Sequence, residues 1–170
     1  MAVLHNEGKN LRFFLELVDR EVFPIVPGQP RPPPNAARVL GTVGVEFYDR
    51  RDQSYWPFIR LPVIYIGGTE GEELVDSIRK VCSLQSTGFA FRGGAQGELA
   101  LQIGRQDDGG LLVEVGLDLA SYLLEASGKA GDPGKELALF RYYTTTAEVV
   151  IFADQIKQEL ERLPRRSVSE

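Results

Sequence analysis

Residues 98–118 constrain this chain more than any other stretch. Leu99, Leu101 and Ile103 alternate with Ala100, Gln102 and Gly104, and further on Leu111, Val113, Val115 and Leu117 alternate with Leu112, Glu114, Gly116 and Asp118. Between the runs lies Arg105-Gln106-Asp107-Asp108-Gly109-Gly110, a cluster of turn formers. Two period-two apolar runs around such a cluster predict an antiparallel hairpin. One face of it is continuously apolar and has to be covered. The rest of the chain must therefore supply more strands and something to lie on them.

Strands come before the hairpin and after it. In residues 11–18, Leu11, Phe13, Leu15 and Leu17 would share one strand face. The alternative is a helix with Leu11, Phe14, Leu15 and Val18 on one side; aromatic enrichment and the weak start signal favour the strand. Residues 38–49 point Val43, Val45 and Phe47 inward. Residues 55–66 follow a charged turn and put Ile59, Leu61, Val63 and Tyr65 on one side. Pro57 and Pro62 within that run place it at a sheet edge or a bulge. Residues 89–91 form a short strand, and residues 137–144 the last one. Residues 119–124 could prolong the second strand of the hairpin.

Two segments switch to helical spacing. Thr69 and Glu72 have the spacing of a capping box, and Leu74, Val75, Ile78, Val81 and Cys82 then form one apolar stripe. Thr145 and Glu148 repeat the signature ahead of Val149, Phe152, Ala153, Ile156, Leu160 and Leu163, and Pro164 stops the helix. The expected fold is α+β: one antiparallel sheet of about six to seven strands with two amphipathic helices packed on one face. A chain of 170 residues reads as a single domain, 1–170. Residues 1–9 read as a loose arm, 24–37 as a Pro-rich connector, 127–135 as a loop and 164–170 as a polar tail. Pro30 and Pro33 give one P-x-x-P spacing, common in any Pro-rich strap.

Composition narrows the function classes. The net charge of −5 argues against a general nucleic-acid or membrane-surface binder, which needs a basic face. A lone cysteine, Cys82, allows no internal disulfide and suits a reducing compartment. The start of the chain lacks a signal-peptide pattern, and no apolar run is long enough to span a membrane. The expected location is the cytoplasm.

Chemistry is thin. His5 is the only histidine, so a histidine-based triad or acid–base pair has no credible member. Cys82 lies on an apolar helix stripe, the position of an inert core thiol. One Cys and one His make no zinc cluster, and Glu70, Glu72, Glu73 and Asp76 suit a helix N-terminus better than a cation. Gly67-Gly68-Thr69-Glu70-Gly71 precedes a helix but has no lysine, and its acids would repel a phosphate. Glu114 and Asp118 could pair as a carboxylate dyad, but solvated strand carboxylates are far commoner. The expectation is no catalytic residue, no metal and no cofactor.

One cluster stands out. Tyr48, Asp49, Arg51, Asp52, Tyr55 and Trp56 gather around a single turn, and Tyr, Trp and Arg are enriched in binding hot spots. The bland alternative is a hairpin turn with Trp56 at the rim of the core. Tyr142 and Tyr143 are a weaker candidate of the same kind.

The order of elements, with Trp56-Pro57-Phe58-Ile59-Arg60-Leu61 leading into Thr69-Glu70-Gly71-Glu72-Glu73-Leu74, resembles small bacterial immunity proteins of the WapI-like or SitI-like kind. So does the closing strand and helix joined by Tyr142-Tyr143-Thr144-Thr145-Thr146-Ala147-Glu148, as does the opening Leu15-Glu16-Leu17 followed by Phe23-Pro24. The resemblance covers most of residues 11–163, without the Pro-rich strap and the 127–135 loop. It implies neutralisation of a cognate toxin by tight binding, a function that needs no catalytic residue. The expected partner is a protein, basic at the contact, met by a monomer or weak dimer, with neither nucleic acid nor membrane involved. The alternative is an acidic secretion chaperone or adaptor.

Overall fold

The computed structural model describes residues 1–22, 37–67, 69–94, 98–118 and 137–163. The chain forms β1 (Ala2–His5), β2 (Leu11–Val22), β3 (Ala37–Asp49) and β4 (Ser54–Gly67), which pair in that order as one antiparallel sheet. Helix α1 (Glu70–Cys82) follows. Then β5 (Gly88–Gly93), β6 (Leu99–Arg105), β7 (Leu111–Asp118) and β8 (Leu137–Thr144) pair in order as a second antiparallel sheet, and α2 (Thr146–Arg162) comes last. The α+β class and the two amphipathic helices are as expected. The single sheet is not: α1 breaks the strand series, and β5 starts a new sheet instead of extending the first.

The two sheets meet at corners. Gly94 N–H donates to the Tyr65 carbonyl at 2.7 Å, tying the end of β5 to β4. At the other corner Glu7 N–H donates to the Tyr143 carbonyl at 3.0 Å, and the Thr144 hydroxyl to the His5 carbonyl at 2.6 Å. The apolar faces of both sheets then close on the same volume. Phe13, Leu15, Val43 and Ile64 of the first sheet, Leu101, Val113 and Val115 of the second, and Ile78, Phe152 and Ile156 of the helices belong to one buried cluster. Helix α2 lies on β1 and β2, while α1 packs against α2 and reaches β4, β5 and β6.

The opening hairpin forms as its pattern demands. Leu99, Leu101, Ile103, Leu111, Val113, Val115 and Leu117 are all buried, and the register pairs Leu101 with Val115 and Ile103 with Val113. Gly109 takes φ +86° in the turn, a conformation glycine adopts freely. Gln106 N–H bonds the Gly110 carbonyl across it at 2.9 Å.

Three local expectations are corrected. Residues 1–9 are not a loose arm: Ala2 and Leu4 are fully buried in β1, which pairs with β2. Four residues are too few to show a period, and the strand exists because β2 and α2 bury it. In β4 the alternation resets. Leu61 is opposite Val43 and Ile64 opposite Gly41, so two residues face Thr42 alone, and Ile64 and Ile66 turn inward where Tyr65 was expected. At α1, Thr69 makes no side-chain cap; Glu70 instead accepts a hydrogen bond from Gly67 N–H at 2.7 Å. Thr145 does cap α2, accepting from Glu148 N–H at 3.2 Å. Residues 11–18 are strand, with Val18 bulged out. The proline-rich connector up to residue 36, residues 119–124, the 127–135 loop and the tail after residue 163 lie outside the described residues, while Ala37, expected as the connector's last residue, opens β3.

Candidate partner-binding surface

The six residues singled out around the first charged turn sit where β3 passes into β4. Tyr48 pairs with Tyr55 and Phe47 with Trp56 across the two strands. Asp49 is a turn former: its carboxylate accepts from Arg51 N–H at 2.8 Å. Gln53 takes a positive φ of +50° and closes the turn. Arg51 and Asp52 are exposed.

The pleat divides this cluster. Successive side chains on a strand point to opposite faces, so Tyr48 and Tyr55 lie on one side and Trp56 on the other. The tyrosine side is knitted into the fold. The rings of Tyr48 and Tyr55 are 5.2 Å apart, and the Arg12 guanidinium sits 3.8 Å over the Tyr55 ring while Arg12 Nε bonds Glu46 at 2.6 Å. Tyr55 donates its hydroxyl to the Lys9 carbonyl at 2.5 Å and meets His5 Nδ1 at 3.1 Å. With the only phenolic proton committed to Lys9, His5 Nδ1–H is the donor in the second bond. Lys9 in turn pairs with Glu148 of α2 at 3.4 Å. Burial, against the upward pull of Glu148 and with smaller help from Arg12 and Lys9, pushes the His5 pKa below the ordinary 6.5, and burial pushes the Tyr55 phenol up. Both groups are thereby held neutral, which suits a structural junction between β1, the β3–β4 turn and α2.

The tryptophan side is open. Trp56 is 50% exposed and its cross-strand neighbour Phe47 is 43% exposed. They continue the face that buries Val43 and Val45, one step beyond the point where the core stops covering it. Phe58 follows at a second bulge of β4, 62% exposed, with its ring set edge-on to Phe140 of β8 at 5.7 Å. Phe47 was missed as a surface residue because its alternation marks it as core. No sequence signal shows where the cover ends.

Elsewhere the side chains offer little chemistry. Burial pushes the Cys82 thiol pKa up, leaving it protonated. Tyr142 is buried, its pKa pushed up by burial, and its hydroxyl donates to the Leu4 carbonyl at 3.3 Å. Glu114, considered for a dyad with Asp118, pairs instead with Arg141 across β7 and β8. Among the described residues no three His, Cys, Asp or Glu side chains gather as a metal site, and no helix is long and apolar enough to cross a membrane.

Comparison with known protein families, characterised proteins and solved structures finds no match.

Proposed function

We propose that this protein acts by binding another protein, as an immunity protein that neutralises a cognate bacterial toxin by covering its working surface. The observation that carries the reading is the pair Phe47 and Trp56, two large aromatics left half-exposed side by side on the rigid end of a sheet. Large aromatics in such positions supply contact area with little entropy to lose, and they dominate the energy of protein interfaces. Arg51 and Asp52 at the adjoining turn form a polar rim around them. The turn carries as many arginines as acids, so attraction to a basic partner comes from the overall charge of −5, which speeds encounter more than it tightens the complex.

The test is protection in cells. Coexpression with the toxin encoded beside this chain should restore growth, and a Phe47→Ala, Trp56→Ala double variant should bind the toxin at least about 100-fold more weakly, the loss expected of two hot-spot residues. Undiminished protection by the double variant, or the lack of any toxin that this chain inhibits, would overturn the reading.

A further inference from the structure

Tyr55 and Trp56 are neighbours in β4 and point to opposite faces of the sheet. What holds Tyr55 on one face therefore steadies the backbone that presents Trp56 on the other. The Tyr55 side chain lies across the sheet in strand order. It meets the ring of Tyr48 of β3, then the guanidinium of Arg12 of β2, then His5 of β1, edge-on with ring centres 5.6 Å apart. At the far end its hydroxyl is held by the Lys9 carbonyl and by His5 Nδ1. The β1–β2 turn that supplies Lys9 is itself tied down. The Asn6 side chain accepts from the N–H groups of Asn10 and Leu11, both at 3.0 Å. Tyr48 N–H donates to the Asn10 carbonyl at 2.8 Å, so the β3–β4 turn leans on the β1–β2 turn through both tyrosines.

The charges around this cross-bar are matched. Arg12 pairs with Glu46 of β3 at 2.6 Å, and Lys9 with Glu148 of α2 at 3.4 Å. His5, the only histidine, is the one side chain in the knot that ordinarily changes charge between about pH 5 and 8. Its Nδ1 proton already goes to Tyr55, so a second proton enters at Nε2. It adds a third cation to two cations and two carboxylates, in a half-buried position.

We propose that Tyr55 and His5 form a pH-sensitive brace behind the Phe47–Trp56 pair: with His5 neutral the brace holds the β3–β4 turn against β1 and β2, and a second proton on His5 releases it. Resting on the reading of Phe47 and Trp56 as the binding pair, this makes their presentation stiffest at neutral pH. The sign follows from the surroundings of His5. Burial opposes its charge most, Glu148 attracts that charge, Arg12 and Lys9 repel it, and the balance lowers its pKa below 6.5. A released His5 regains the ordinary value, so the released form takes up the proton first. The brace is at full strength above pH 6.5 and weakens as the pH falls below it.

Hydrogen exchange of the whole chain, read peptide by peptide by mass spectrometry, tests the brace without any partner. It can therefore fail while cell protection stands, and the Phe47, Trp56 double variant can fail while the brace stands. Between about pH 7.5 and about pH 5.5 the wild-type protection of residues 47–56, corrected for the chemical exchange rate, should fall by about threefold or more, the return from half a unit of pKa depression. His5→Gln stays neutral and keeps a donor for Tyr55, so its protection should be the same at both pH values. Tyr55→Phe lacks the hydroxyl and should be poorly protected at both. The β6–β7 hairpin, residues 99–117, should be unaffected throughout. Wild-type protection that does not change with pH overturns the proposal, as does a fall that persists in His5→Gln, which would assign it to carboxylates. Tyr55→Phe protected like the wild type, or an equal fall in the hairpin, overturns it too, because the turn would then not be braced locally by this knot.

Discussion

Helix α1 ends on a residue ill-suited to its backbone. Leu84 has φ +63°, the left-handed conformation that costs a side chain with a Cβ. Gln85 N–H bonds the Lys80 carbonyl at 2.9 Å and Leu84 N–H the Val81 carbonyl at 3.3 Å, the bonding pattern of a Schellman C-cap, where glycine is the usual occupant. The Leu84 side chain is 72% exposed, so it returns little packing for this strain. Leu84→Gly should therefore raise stability by roughly 0.5–1 kcal/mol in a urea titration, the conformational relief exceeding the extra chain entropy of glycine. An unchanged or lower midpoint would mean that the Leu84 side chain holds the turn in a way its exposure hides. Residue-scale reading of the sequence worked where chemistry is local, as for the glycines of the 105–110 turn. It failed where neighbours come from far along the chain. His5 was expected in a loose arm because Tyr55 and Arg12, which lie against it, belong to other strands, and Trp56 and Tyr55 were grouped although the pleat separates them.

Among the elements, the two capping boxes are alike in sequence and different in structure. Thr145 sits in extended backbone at φ −97°, ψ 155°, the geometry from which a hydroxyl reaches the third amide of the helix, and it does so. Thr69 has already turned helical at φ −100°, ψ −19°, and its hydroxyl caps nothing. Glu70 takes over by folding back onto Gly67 N–H. Thr145→Ala should cost about 1 kcal/mol in thermal unfolding, and Thr69→Ala only a few tenths. Equal losses would show that the backbone of Thr69 adjusts to make the cap in solution. The same limit explains the strands. Period-two patterns placed β3, β4, β6, β7 and β8 to within a residue or two at each end. They missed the bulge at Val18, because an inserted residue shows only once the partner strand is known, whereas the two bulges of the edge strand β4, at Phe58 and opposite Thr42, fall beside Pro57 and at Pro62, the prolines that marked this run as an edge or a bulge. They also missed β1, which is held by pairing with β2 and by Gln155 and not by any pattern of its own.

For the molecule as a whole, the number of sheets was beyond reach of strand patterns, which specify faces and not neighbours. What the patterns do require is that every apolar face be covered, and two sheets sharing one core with two helices satisfy that as well as a single covered sheet does. The arrangement has a thermodynamic consequence. Phe13 of β2 packs edge-on to Phe152 of α2 at 5.8 Å, and the same buried cluster runs on through Val113 of β7. Neither sheet keeps a complete core without the other, so both should unfold in one step. Trp56, the only tryptophan, stands at the end of the first sheet and reports on it by fluorescence, while far-UV circular dichroism averages over both sheets and the helices. Val113→Ala removes buried volume from the second sheet alone and should cost about 2 kcal/mol. In the wild type the urea midpoints from Trp56 fluorescence and from circular dichroism should coincide, and in that variant they should fall together and still coincide. If the Trp56 midpoint stayed at its wild-type value while the dichroism transition broadened or split, the two sheets would be separate folding units, and the shared core would not bind them into one.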